Sequence, residues 1–433
     1  MPSVGLYTLG CKVSLYETEA VAEAFVKAGF SVLSFEDKCD VYVINTCTVT
    51  AESDAKSRKY IRRAVRKNPS AVVIVMGCYS QRAPGEVAKI EGVGAVIGTA
   101  DKLSAVTLAS ELLSEREGAP IVRVGSLSGA KFENMCVITP ARTRGFVKIE
   151  DGCECKCSYC AIAGARGPVR SKPKEAVIAE VEALSRLGMS EIVLTGIETG
   201  SYGADFRERY GLSDLLSELN ERKSCERIRL GSMSPELMGR EFIERVSELS
   251  ILVPHFHISM QSGSSSVLRR MRRRYTRESA MENIRLMRRK IPRLMLTADL
   301  MVGFPGESEE DFQGTLDFVS EAELLSAHVF AYSKREGTPA CGFPDQISES
   351  VKKDRSARLI AHAERVRDAV LDRVVADGRA LPVVFETKGE GGFVGHSDSY
   401  IEVLAESDDD LTGKLLSVIP ISHKNGVIHG KLL

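Results

Sequence analysis

Eight consecutive residues of this chain carry four thiols, Cys153-Glu154-Cys155-Lys156-Cys157-Ser158-Tyr159-Cys160. Cys153, Cys157 and Cys160 are spaced C-x3-C-x2-C, and a loop so dense in sulfur suits metal better than packing. Zinc normally draws cysteine pairs from two places, and no second C-x2-C pair exists here. Three thiolates on a four-iron cubane leave one iron open to a substrate or cofactor; Cys155 reads as the surplus thiol. Cys11, Cys47 and Cys78 form a second set, each following a β-rich run by a residue or two. Parallel strands end on one edge of their sheet, where doubly wound folds bind ligands, so these three converge. Gly10 and Gly77 let backbone pass close to a bulky group. Spacing leaves two readings of this set open, a second cluster or three buried structural cysteines. Cys39, Cys136, Cys225 and Cys341 stand alone and read as structural.

The elements that position these thiols are of two kinds. Residues 1–115 alternate β runs (Val4–Leu9, Val41–Ile44, Val72–Met76) with helical spacing at Ser14–Ala28 and Glu52–Lys67. That alternation predicts an α/β domain with a doubly wound parallel sheet. Residues 116–142 read as a connector with one strand near Ile121–Val124. From 143 to 376 six β runs alternate with helices: Phe146–Glu150, Glu191–Thr195, Arg227–Gly231, Phe256–Met260, Leu296–Val302 and Ala327–Ala331. Six units predict a partial (β/α)6 barrel, short of the full eight. A charged helix at Ser350–Val375 precedes residues 377–433, whose β runs Pro382–Glu386, Ile401–Leu404, Leu415–Val418 and Val427–Leu432 predict a small β-barrel.

Composition narrows the class. Lys+Arg of 58 against Asp+Glu of 59 gives a net charge of −1, so nucleic-acid contact rests on local clusters. The eleven cysteines, with no signal-peptide pattern at Met1–Gly10 and no long apolar run, point to metal chemistry in a reducing cytoplasm rather than a disulfide scaffold. No membrane and no DNA partner are expected. Arg269 to Arg293 holds eleven Lys/Arg and two acids, and the helix at Lys56–Lys67 adds more, which favours RNA. The tail from Arg373 has six Lys/Arg against nine Asp/Glu. An acidic module suits a basic protein substrate better than phosphate.

With Tyr159 before its last cysteine, the C-x3-C-x2-C loop resembles the radical S-adenosylmethionine (SAM) superfamily. Cys11, Cys47 and Cys78, Gly164-Ala165-Arg166-Gly167, Gln261-Ser262-Gly263-Ser264 and Gly303-Phe304-Pro305-Gly306-Glu307 sharpen this. Together they resemble the methylthiotransferase family over nearly the whole chain. The resemblance implies an N-terminal domain with an auxiliary cluster, a radical SAM barrel and a C-terminal β-barrel called TRAM. It also implies two [4Fe-4S] clusters, SAM, a tRNA substrate and a reducing electron-donor protein. Thr8–Val13, Leu194–Ile197, Thr199–Gly203, Met271–Thr276 and Tyr332–Arg335 look most like the threonylcarbamoyladenosine branch, although Glu198 stands where that branch carries His. Sister branches act on isopentenyladenosine in tRNA or on a ribosomal-protein aspartate. A non-catalytic iron–sulfur RNA-binding protein is the reading from another class.

The expected site residues follow. Cys153, Cys157 and Cys160 would hold the SAM cluster, and Cys11, Cys47 and Cys78 the auxiliary one. Tyr159, Glu198, Gln261, Gly303 and Gly306 would contact SAM, with Glu307 a carboxylate or a helix cap. Arg166, Arg170, Arg272, Arg273 and Arg274 would contact RNA. His255 and His257 share a strand face but have no partner at zinc spacing, so they read as structural, as does His328.

Overall fold

The computed structural model describes every residue except 116, 117 and 141, three positions of the expected 116–142 connector. Its first layer comprises strands Ser3–Thr8 (β1), Ser31–Leu33 (β2), Val41–Thr46 (β3), Val72–Gly77 (β4), Val93–Ile97 (β5) and Ile121–Arg123 (β6). Helices Lys12–Lys27 (α1), Ala51–Lys67 (α2), Cys78–Arg82 (α3), Pro84–Ala88 (α4) and Ser104–Ser114 (α5) separate them. All pairings are parallel, in the order β2-β1-β3-β4-β5-β6. Every residue of β3 and β4 is buried, which is why they read as unbroken apolar runs. Two strands, β5 and the short edge β2, join those expected, and the strand expected within the connector is β6. That strand pairs Ile121 with Ala95, so it belongs to the first sheet and completes it rather than standing apart in a connector.

The central part contains Gly145–Lys148 (β7), Glu150–Asp151 (β8), Arg170–Ser171 (β9), Glu191–Thr195 (β10), Arg227–Leu230 (β11), His255–Gln261 (β12), Met295–Val302 (β13) and Ser326–Ala331 (β14). β8 and β9 make a small antiparallel pair. The other six run parallel in chain order as two triplets, β7-β10-β11 and β12-β13-β14. Single parallel bridges, Ile228 to Leu252 and Met233 to Ile258, join the triplets. Among the described residues β14 does not pair back to β7, so this is an open barrel. Helices Ile162–Arg166 (α6), Lys174–Arg186 (α7), Leu212–Glu221 (α8), Arg240–Val246 (α9), Ser265–Arg270 (α10), Arg277–Lys290 (α11) and Glu309–Glu321 (α12) follow the strands. Outward strand residues such as Ile192, Leu194, Ile228 and Leu300 pack with the helices into the largest apolar core. The odd-numbered residues of β10 to β13 face the lumen instead.

Glu349–Asp377 (α13) ends at left-handed Gly378 and leads to Leu381–Gly389 (β15), Gly392–Ser397 (β16), Glu402–Ala405 (β17), Leu415–Lys424 (β18) and Val427–Leu432 (β19). These five strands close a barrel, β15-β16-β17-β19-β18. It docks on the strand-start end of the open barrel. Arg229 is bidentate to Glu191 and donates to the carbonyls of Ser397 and Asp398. Arg144 bridges Glu191 and Glu386, and Arg293 pairs Asp398 at 2.7 Å. Part of the acidity of this module is therefore engaged in docking.

The first layer closes the open side of the central barrel. On the β7 edge, Lys148 reaches Glu17 of α1 at 2.7 Å. On the β14 edge, Arg335 reaches Asp54 at 2.6 Å and the Thr48 carbonyl at 3.1 Å. No helix among the described residues is long and apolar enough to cross a membrane.

Candidate active site

In the first sheet the chain goes outward from β1 to β2 and back across to β3, so the topological switch lies between β1 and β3. Ligands of open α/β sheets sit beyond the strand ends at such a switch. Cys11 follows β1, Cys47 follows β3 and Cys78 opens α3 after β4. Gly10, at φ 121°, brings the first two loops together: a Cβ there would lie 3.3 Å from Cys47 Cβ. At Gly77, φ 103°, a Cβ would strike Asn45 Oδ1 at 2.4 Å. Cys11 is exposed, while Cys47 and Cys78 are buried. Burial pushes the Cys78 thiol up to about 11 against the opposing pull of Arg166, and burial raises Cys47 as well.

Arg166 donates from Nε to Cys78 Sγ at 3.1 Å, and its other nitrogens bind Glu17 and Asp151. Lys102, Lys148 and Arg170 join this cluster, so four buried cations face two carboxylates. Burial alone would raise Asp151; Lys148 and Arg166 outweigh it and hold the carboxyl at about 2. Through Arg166 this cluster sets a buried positive charge against a thiol. That arrangement fits a bound anionic iron–sulfur group, whose thiolate ligands need such support.

The second trio lies between β8 and α6. Cys153 Sγ accepts from the Cys155 amide at 3.5 Å and Cys160 Sγ from the Ile162 amide at 3.3 Å, as sulfur ligands of a cluster do. Burial pushes Cys157 up to about 11. A hydrogen bond with Cys153 lowers the Cys155 thiol and raises its partner. All four thiols line one cavity of about 270 Å³, and Val49 and Thr50, just past Cys47, line it too. The short helix α6 packs on α3, which Cys78 opens. The two trios are thus neighbours.

Tyr159, Glu198 and Gln261 also line this cavity. Gln261 has φ 67°, uncommon outside glycine, at a register break in β12 that turns its side chain toward the cavity. Glu198 is buried, which raises its carboxyl, and it accepts from Ser234 N at 3.0 Å and Oγ at 2.6 Å.

Several expected contacts are corrected. Arg166 and Arg170, expected to reach RNA, are buried because Glu17, Asp151 and backbone carbonyls engage them. Arg273 points into the cavity, donating to Tyr159 Oη at 2.8 Å between the rings of Tyr159 and Tyr275. Arg272 and Arg274 remain exposed. Gly303 and Gly306 are not on the cavity wall: Cβ atoms there would face Lys352 and Arg270. Glu307 accepts from Gly303 N at 3.0 Å and pairs with Arg355 at 2.7 Å, which leaves it a structural brace. Five arginines of the basic stretch, Arg270, Arg277, Arg285, Arg288 and Arg293, are paired with acids elsewhere.

Other lumen residues carried no linear motif. His257 Nε2 lies 3.1 Å and His328 Nδ1 3.4 Å from Asp299 Oδ1. Thr297 Oγ1 lies 2.8 Å from His257 Nδ1 and 3.0 Å from His255 Nε2. Burial alone would raise Asp299, but hydrogen bonds from the two imidazoles hold it below the usual carboxylate range. The alternating residues 255 and 257, and 297 and 299, were the available signal; their pairing needs the register of β12 on β13.

A model of the radical SAM superfamily matches residues 147–319, and one described as uncharacterized protein family UPF0004 matches residues 3–98. The chain is 42% identical over 96% of its length to the threonylcarbamoyladenosine tRNA methylthiotransferase MtaB of Bacillus subtilis, covering 93% of that protein. It is 32% identical to a tRNA-2-methylthio-N(6)-dimethylallyladenosine synthase of Methylacidiphilum infernorum, over 96% of this chain and 92% of that one. Among solved structures, the radical SAM methyltransferase TsrM of Kitasatospora setae superposes with a TM-score of 0.55 at 16% identity, over 78% of this chain and 77% of that one, a likeness of fold.

Proposed function

The chain belongs to the methylthiotransferase family of radical SAM enzymes, in its threonylcarbamoyladenosine branch, and on that premise we propose how its residues divide the work. The reaction is replacement of the C2 hydrogen of N6-threonylcarbamoyladenosine, beside the tRNA anticodon, by a methylthio group, with SAM and [4Fe-4S] clusters as cofactors. The near-full-length identity to a relative of that name carries the substrate assignment.

Cys153, Cys157 and Cys160 would hold the SAM cluster, and Cys11, Cys47 and Cys78 the auxiliary one. When bound, these groups supply a reducing electron, a radical able to take an unactivated hydrogen and a transferable sulfur, chemistry beyond any side-chain acid or base. The protein's part is position and environment. Gln261 and Glu198 offer polar atoms beside the cysteine loop. Arg273, held by Tyr159 and Ser234, supplies fixed positive charge there. Met301, Phe330 and Tyr332 give the cavity an apolar wall. Exposed Arg272 and Arg274, which flank Arg273 in sequence, are our candidates for phosphate contact, and Arg274 lines a surface hollow together with Cys153, Glu154 and Lys156. Cytoplasmic location and a reducing protein donor belong to the same reading.

The test is anaerobic cluster reconstitution, then incubation with SAM, a reductant and threonylcarbamoyl-modified tRNA, read by nucleoside mass spectrometry. A methylthio adduct is expected. SAM cleavage without the adduct would refute the substrate and redirect the search to isopentenyl tRNA and the ribosomal protein.

A further inference from the structure

The lumen below the cysteine loop holds a charge arrangement that the reaction at C2 does not use. Inward residues of a strand step about 6.6 Å apart, so Asp299 lies one step below Met301 and His257 two steps below Gln261. Asp299 lines the same cavity as the cysteine loop. Its Oδ1 is shared by His257 and His328, and the His328 side chain is 61% exposed although β14 is a barrel strand. Lys12 opens α1 directly after Cys11 and is likewise exposed. The charged and titratable groups that act on its ammonium include Arg144, Arg229, Glu191, Asp299 and His255. Arg144 and Arg229 already engage Glu191, and the two imidazoles engage Asp299. Lys12 itself forms no ion pair within 4 Å among the described residues. Both carboxylates of this part of the lumen are therefore engaged by other groups, and the Lys12 ammonium is left without an ion-pair partner among the described residues.

The threonylcarbamoyl group carries a carboxylate, whereas an isopentenyl group is uncharged. We propose that Lys12 and His328, with His257 and Asp299 fixing the imidazoles, form the subsite that takes this carboxylate and selects the threonylcarbamoyl-modified base. The inference rests on the functional reading above. It assigns specificity to two residues outside the thiol trios, one from each of the two units that meet at the open side of the barrel. A carboxylate entering there gains charge-assisted hydrogen bonds from the Lys12 ammonium and the His328 imidazole. An uncharged substituent leaves the Lys12 charge uncompensated, which penalises the wrong substrate.

The experiment compares two anticodon stem-loops, one bearing threonylcarbamoyladenosine and one with its carboxylate converted to the primary amide. Dissociation constants come from fluorescence anisotropy, and methylthio transfer from nucleoside mass spectrometry. Wild type is expected to prefer the carboxylate by about tenfold, the size of one charge-assisted contact. Lys12→Met should bring that ratio close to one, Lys12→Arg should preserve it, and His328→Phe should narrow it. Iron content of each variant checks that the neighbouring Cys11 site is intact. No wild-type preference, a ratio unchanged in Lys12→Met, or an equal loss on both RNAs in iron-replete Lys12→Met would overturn the proposal. A wild-type enzyme that cleaves SAM yet modifies neither loop would instead count against the functional reading, since the binding ratio reports on the lumen separately.

Discussion

Arg166 illustrates how burial reassigns a residue. Beside a cysteine loop in sequence, an arginine suggests phosphate; in the fold it is fully buried and ties Glu17 and Asp151 to Cys78. Removing one member of a buried ion cluster leaves its partners charged and unpaired, at a cost of about 3–5 kcal/mol. Arg166→Met is therefore expected to lower thermal stability by that order and to reduce iron content, because it also removes the donor on Cys78. Its effect on the salt dependence of tRNA binding should be nil. Arg274→Ala should do the reverse, with normal stability and a slope of log K against log salt shallower by about one. Equal salt slopes for Arg274→Ala and wild type would remove that arginine from the RNA interface. The thiols divide in the same way. Cys78→Ala should abolish methylthio transfer while SAM cleavage at the other trio persists, and full transfer by this variant would falsify the assignment of two clusters.

At the scale of elements, the C-terminal barrel is clamped by Glu191 at the start of β10, which meets Arg144, Arg227 and Arg229. Burial alone would raise this carboxyl, but the arginines, Arg229 foremost, hold it at about 2 against an ordinary 4.5. A carboxyl depressed in the folded state adds stability above its unfolded value and loses it as pH falls toward the folded one. Docking should thus hold at neutral pH and weaken between about pH 4.5 and 2, seen as growing protease access after α13. Glu191→Gln should weaken it already at pH 7 and flatten the acid transition in that window. These elements differed in how far the sequence exposed them. The six barrel strands, and the convergence of Cys11, Cys47 and Cys78 at one sheet edge, were legible because apolar runs and the residues that end them are local signals. The strand β16 was not, since Gly392 and Gly395 dilute its β character. Nor was the fate of the basic stretch, because Glu321, Glu323, Asp311 and Asp398 neutralise it from elements distant in sequence.

At the scale of the whole molecule, the open barrel is closed by another sheet, and the closure places one thiol trio against the other. The contact is made on both barrel edges, through Glu17 with Lys148 and through Arg335 with Asp54 and Thr48. The two anchors differ in what they fix. The Glu17 side carries the charge cluster against Cys78, whereas the Arg335 side holds the turn from Cys47 to α2, whose Val49 and Thr50 line the cavity. Loosening the second anchor should leave each thiol set intact while relaxing the distance between them. Arg335→Met is accordingly expected to keep normal iron content and to cleave SAM. Its yield of methylthio product per SAM cleaved should fall by about tenfold, since a misplacement near 1 Å can cost still more. Hydrogen exchange at Thr48–Asp54 should rise in parallel, reporting the released anchor directly. A yield per cleavage equal to wild type, with exchange raised, would mean that the trios keep their relation without this bridge, and that the Glu17 cluster alone sets the geometry of transfer.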